Sequence, residues 1–146
     1  MEGQNTAPEL TVYLRSSAPF PARDRQEEVI ERAERLATEG RIGDVSVRHW
    51  NDRVVASDEV GATDAVETFE AFKSRAEEIG HTIEPFFQEH DRGGVREIVF
   101  PIICIAVYVD EELRRVFPCR DDREAYSVWD CLTALETDGA IVGLGD

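Results

Sequence analysis

Residues 97–109 read EIVFPIICIAVYV, and how this stretch is read decides the fold. From Ile98 to Val109 the run is almost unbroken in its apolar character. A strand of this kind has no polar face to offer to water, so it predicts a central position covered on both sides. It falls short of the roughly 20 apolar residues that a membrane helix needs. Pro101 lies near its start, where a missing N–H donor is tolerated.

Downstream, the acidic residues 110–112 turn the chain into a further strand over 113–118. Residues 122–136 then predict a helix that buries Ala125, Val128, Trp129, Leu132 and Leu135, with Gly139 as its stop. Upstream, residues 82–89 predict an edge strand weakened by Pro85, followed by a turn at Asp91-Arg92-Gly93-Gly94. Residues 64–79 carry Val66, Phe69, Phe72, Ala76 and Ile79 on one helical face and end at Gly80. Residues 45–50 and 53–57 predict two short strands around Asn51-Asp52, residue types that tolerate the positive φ of a tight hairpin. Residues 58–63 are expected to form a loop. Residues 24–39 predict a helix opened by Asp24 and Glu27, an acidic capping box, and closed by Gly40. Leu10, Val12 and Leu14 alternate as a half-buried strand.

The resulting order is strand, helix, strand, strand, helix, strand, then a strand pair and a helix. It predicts an α+β fold, a ferredoxin-like βαββαβ core with an added strand pair and a C-terminal helix, the helices on one face of the sheet. One domain spans residues 10–139, between a polar N-terminal tail at 1–9 and a glycine-rich tail at 140–146.

Charge is the most unusual property of the chain. Its 31 Asp and Glu oppose 16 basic residues, and Lys73 is the sole lysine. A net charge of -15 on 146 residues strains a compact fold by self-repulsion. At multimolar salt the strain fades, because the Debye length shrinks to about 3 Å at 1 M. The composition therefore points to a salt-saturated cytosol, as in extremely halophilic archaea. Residues 1–9 are polar and acidic without a basic n-region, so no secretory signal is expected, and three cysteines without close pairing fit a reduced, cytoplasmic compartment.

Three stretches are familiar together: residues 10–20 (LTVYLRSSAPF) leading into 25–37 (RQEEVIERAERLA), residues 66–81 (VETFEAFKSRAEEIGH), and residues 99–120 (VFPIICIAVYVDEELRRVFPCR). Jointly they resemble a group of short acidic haloarchaeal proteins that carry a helix-turn-helix domain label. The resemblance covers about residues 10–136 and implies a DNA-binding regulator as one reading. It transfers no activity, ligand or catalytic residue to this chain.

Motifs of chemistry are scarce. The chain has no phosphate-binding GxxxxGK[ST], no GxGxxG after a strand, no HExxH, no GxSxG and no CxxC. Neither a catalytic set, a cofactor nor a metal is implied. A metal site joining Cys119 or Cys131 with His81 or His90 has no matching ligand spacing, and Cys104 belongs to the apolar strand. Cys119, after Pro118 and ahead of a predicted helix, is the thiol expected to be most exposed. The doublets Glu27-Glu28, Glu77-Glu78, Glu111-Glu112 and Asp121-Asp122 read as solvated surface, since adjacent side chains diverge.

Two candidate sites remain. His49 and Trp50 beside Phe86 and Phe87 form a candidate ligand-binding set on the sheet. Arg114, Arg115, Arg120 and Arg123 form the densest basic cluster and the candidate nucleic-acid contact. The leading expectation is a non-enzymatic cytoplasmic module that binds a protein partner or small ligand, with a regulatory role. The alternative is a helix-turn-helix DNA-binding regulator. Because carboxylate repulsion grows as screening falls, removing KCl is expected to lose tertiary structure, reported by Trp50 and Trp129 emission. Full retention of the fold in dilute neutral buffer contradicts the halophilic reading.

Overall fold

The computed structural model describes residues 7–56 and 64–138. Its elements are β1 (Glu9–Arg15), α1 (Phe20–Thr38), β2 (Val45–Trp50), β3 (Arg53–Ala56), α2 (Asp64–Glu78), β4 (Gln88–Arg92), β5 (Val95–Val99), β6 (Ile103–Val109), β7 (Glu112–Phe117), β8 (Cys119–Arg120), β9 (Ala125–Tyr126) and α3 (Val128–Asp138). The expected loop at 58–63, the stop at Gly139, the tail at 140–146 and the first six residues of the N-terminal tail lie outside the described residues.

The apolar run does not stay in one sheet. It breaks at Phe100-Pro101-Ile102 into β5 and β6: the Phe100 N–H still extends the β3–β5 ladder by donating to Asp52 O at 2.9 Å, and Pro101 next to it has no N–H to donate. A four-stranded sheet has the order β2-β1-β6-β7, and a three-stranded antiparallel sheet has the order β3-β5-β4. In the first, β1 and β2 run parallel with Leu10 opposite Val45, while β6 runs antiparallel to both β1 and β7. At its open end, the buried Gln26 amide of α1 donates to Arg15 O at 3.2 Å and Ile102 O at 3.0 Å.

The fold is mixed α+β in a single domain. The element order is compatible with a ferredoxin-like core, but the pairing does not confirm one. In a split βαβ unit an antiparallel strand separates the two parallel strands, whereas here β1 and β2 are direct neighbours. The helices also occupy both faces of the larger sheet rather than one. Tyr13 of β1 meets Phe72 of α2 edge to face at 5.6 Å, while Val12 and Leu14 point the opposite way, towards α1 and α3. Both faces of β6 are apolar, so both require cover. Arg32 of α1 ties the outer pair together by donating to both oxygens of Glu136 on α3, at 2.6 and 2.8 Å.

Several local expectations are corrected by identifiable chemistry. The Asn51-Asp52 hairpin does not form: neither residue adopts positive φ, and β2 and β3 enter different sheets. Residues 82–89 do not make a continuous edge strand; Thr82 forms an isolated bridge with Arg120, and β4 begins only at Gln88. The first helix starts at Phe20 rather than Asp24, with Pro21 in its first turn, where proline's preset φ fits and its missing N–H costs nothing. The third helix starts at Val128 rather than Asp122. Asp121 accepts the N–H groups of Arg123 at 2.8 Å and Glu124 at 2.9 Å, which folds residues 121–124 into a turn. Ser127 and Asp130 then exchange bonds as a capping box, 2.7 Å from Ser127 N to Asp130 Oδ2 and 3.2 Å from Asp130 N to Ser127 Oγ.

Two tight turns follow expectation. Gly93 and Gly94 (φ 57° and 84°) close the β4–β5 hairpin, and Asp110 and Glu111 (φ 54° and 68°) close β6–β7. Ile105, fully buried, and Ile103, partly buried, give a direct test of the break. Ile105→Ala is expected to cost about 2–5 kcal/mol and Ile103→Ala clearly less, measured by denaturant unfolding at high salt. Equal losses contradict the placement of Ile103 at the margin.

Candidate functional site

Alternation along β1, β2 and β6 sorts the larger sheet into two faces. Leu10, Val12 and Leu14 face α1 and α3. The other set, with Thr11 opposite Ser46 and Tyr13 opposite Arg48 and Cys104, faces α2. Between this second face and α2 lies an open groove made of two adjoining cavities, of about 600 and about 570 Å³. Tyr13, Arg48, Asp64 and Thr68 line both, so the two are continuous.

The halves of the groove differ in charge. One adds Glu9, Glu67, Glu111 and the Tyr108 hydroxyl to the shared residues, with Ala71 and Phe72 as its apolar lining. The other adds His49, Arg53, Trp50 and Phe100. Arg53 is already engaged, 2.9 Å from Glu97. Arg48 is exposed and, among the described residues, forms no ion pair. Burial, then the neighbouring Tyr108 and Cys104, push the Tyr13 hydroxyl up to about 12. At neutral pH it is therefore an uncharged hydrogen-bonding group. Trp50 stacks on Tyr13 at 4.6 Å and on Phe100 at 4.3 Å, and its buried indole N–H finds no acceptor among the described residues.

The candidate ligand set separates accordingly. His49 and Trp50 line the groove together, His49 exposed and Trp50 largely buried in the wall. Phe87 is fully buried behind Trp50, edge to face at 5.9 Å, and Phe86 is half-buried against the core. Neither phenylalanine lines the groove. Tyr13, Arg48, Asp64, Thr68 and Tyr108 escaped the sequence reading. Their signal was the polar half of the β1 alternation together with the first turns of α2.

The four candidate arginines do not share a surface. Arg115 is buried at 4% exposure, its guanidinium 4.8 Å from the Phe117 ring and 5.7 Å from the Tyr126 ring. Arg114 is half-buried, 3.4 Å from Glu112. Arg120 and Arg123 are exposed, and Arg120 donates to Glu84 O at 3.1 Å. Successive residues of β7 point to opposite faces, which is why the pair Arg114-Arg115 splits.

Around Arg115 a second polar cluster forms. Cys119 Sγ lies 4.0 Å from Arg115 Nη2 and 3.9 Å from His81 Nδ1, and the Tyr126 hydroxyl donates to Asp121 at 2.9 Å. Cys119 is buried, contrary to the expected exposure, because β8 turns it into the core. Burial raises its thiol pKa despite Arg115, and burial also lowers that of His81. Burial thus opposes the thiolate form in this cluster. Arg115→Ala is expected to destabilise the chain by more than about 2 kcal/mol, from two desolvated cation–π contacts. Arg123→Ala is expected to stay within about 0.5 kcal/mol. Similar unfolding midpoints for the two variants contradict the burial of Arg115.

Among the described residues no helix is long and apolar enough to cross a membrane. The model of a family described as a helix-turn-helix domain matches residues 2–140. No curated protein and no solved structure matches.

Proposed function

The chain belongs to the helix-turn-helix domain family, and within it we propose a regulatory, non-enzymatic module that binds a small ligand between α2 and the larger sheet. The observation that carries this reading is the continuity of the groove through Tyr13, Arg48, Asp64 and Thr68. Clefts of this size are the usual scale of small-molecule sites, and here aromatic walls stand beside many polar and charged groups. The groove lies between α2 and the larger sheet, so a ligand there bridges a helix and a sheet. Such bridging supports regulation, because occupancy favours whichever α2 position closes on the ligand. We place this activity in a salt-rich cytosol, on the strength of the -15 charge.

A second reading, a DNA-binding transcriptional regulator, is supported by the family match. Two observations weigh against it. A helix-turn-helix joins two helices by a turn of about 3–4 residues, whereas β2 and β3 stand between α1 and α2, and six strands between α2 and α3. The exposed helix faces also carry more acid than base, with Asp24, Glu27, Glu28, Glu31 and Glu34 against Arg23, Arg25 and Arg35 on α1, and Asp64, Glu67, Glu70, Glu77 and Glu78 on α2. At high salt the counterion-release contribution to DNA affinity is nearly spent, so base contacts from Arg114, Arg120 or Arg123 would have to supply it.

A thermal-melting screen against a metabolite library separates the two. A ligand at 100 times its Kd is expected to stabilise the protein by about 2.7 kcal/mol, and Thr68→Trp, which fills the groove, is expected to abolish the shift. Absence of any shift, together with sequence-specific DNA binding lost on replacing Arg120 and Arg123 by Ala, favours the regulator instead.

A further inference from the structure

The groove contains charges of both signs that do not satisfy one another. Arg48 stands on the sheet, Asp64 and Glu67 on the first turn of α2, Glu9 at the start of β1 and Glu111 in the turn after β6. With four carboxylates lining the same cavity, Arg48 still forms no ion pair among the described residues, and neither does Asp64 on the opposite wall. Arg48 belongs to β2 and Asp64 to α2, so the two charges stand on different elements.

We infer that the groove takes a small apolar zwitterion of the α-amino-acid type, its carboxylate on Arg48 and its ammonium among Asp64, Glu67 and Glu111. This rests on the groove being a ligand site. A simple anion at Arg48 would face four carboxylates, and a simple cation among those carboxylates would face Arg48. A molecule with both charges matches both, and like-charge juxtaposition rejects the others. The guanidinium fork suits a carboxylate, which it meets with two parallel hydrogen bonds. The Tyr13 hydroxyl, kept protonated, and the Thr11, Thr68 and Tyr108 hydroxyls add uncharged partners around the same point. Ala71 and Phe72 supply the apolar contact for a side chain. Glu111 enters the groove from a turn with φ 68°, a conformation that side-chain-bearing residues seldom adopt.

Calorimetry with the full chain, in the high KCl that keeps it folded, tests this with L-leucine, L-phenylalanine, N-acetyl-L-leucine and L-leucinamide. The free amino acids are expected to bind, and blocking either end should weaken binding about tenfold or more, the range for a lost charge-assisted hydrogen bond. Arg48→Gln should remove the preference for L-leucine over leucinamide, and Asp64→Asn should weaken L-leucine while leaving the N-acetyl form unchanged. If the blocked compounds bind as tightly as the free ones but lose binding in Thr68→Trp, the zwitterion assignment falls and the ligand groove stands. If binding survives Thr68→Trp unchanged, both fall. If none of the four compounds binds, the zwitterion assignment falls.

Discussion

Trp50 lies in a column with Tyr13 on one side and Phe100 on the other, at ring separations of 4.6 and 4.3 Å. This column joins the two sheets. Tyr13 belongs to β1 of the four-stranded sheet, and Phe100 sits at the point where the chain leaves the three-stranded sheet. Phe87 closes the column edge to face against both Trp50 and Phe100, at 5.9 and 6.2 Å. Aromatic pairs of this kind contribute about 0.5–1.5 kcal/mol each beyond their burial. Its position follows from Pro101. Without a proline there, the apolar run could continue as one strand, and Phe100 would have no reason to turn towards Trp50.

The same break explains what could be read in the sequence. The three helices and the strands β1, β2 and β6 were legible, because their apolar periods are strong and Gly40 and Gly80 adopt the positive φ that a helix stop uses. The division of residues 97–109 was not legible from periodicity, since both halves are apolar and a proline near the start of a strand is ordinarily tolerated. The starts of α1 and α3 were misplaced because acidic residues at 24 and 122 imitate caps. The actual devices are Pro21 in the first turn of α1 and the Ser127–Asp130 box, with the Asp121 turn blocking an earlier start to α3. The Asp121 carboxyl is held down to about 2, chiefly by the N–H groups of Glu124 and Arg123 and then by the Tyr126 hydroxyl.

The site was half legible. His49 and Trp50 do meet in the groove, but Phe86 and Phe87 belong to the packing behind it. Aromatic residues next to each other in sequence alternate sides, and only one of such a pair can face a given cavity. The four arginines do not share one surface for the same reason: β7 sends Arg115 inward against Phe117 and Tyr126 while Arg114 stays nearer the surface. Elsewhere the acid surplus is absorbed in cross-links between elements. Lys73 and Arg96 both hold Glu89, and Arg96 also holds Glu70. These tie α2 to the smaller sheet and leave the groove side of α2 facing the larger one.

Backbone amide shifts mapped by NMR, at a salt concentration that keeps the chain folded, test the groove as the functional surface most directly. Titration with a ligand that stabilises the protein should move the amides of Tyr13, Arg48, Thr68 and Tyr108 together, with those of Arg114, Arg120 and Arg123 unmoved. Shifts confined to Arg114, Arg120 and Arg123 on adding duplex DNA, with the groove amides silent to every stabilising compound, would contradict the account.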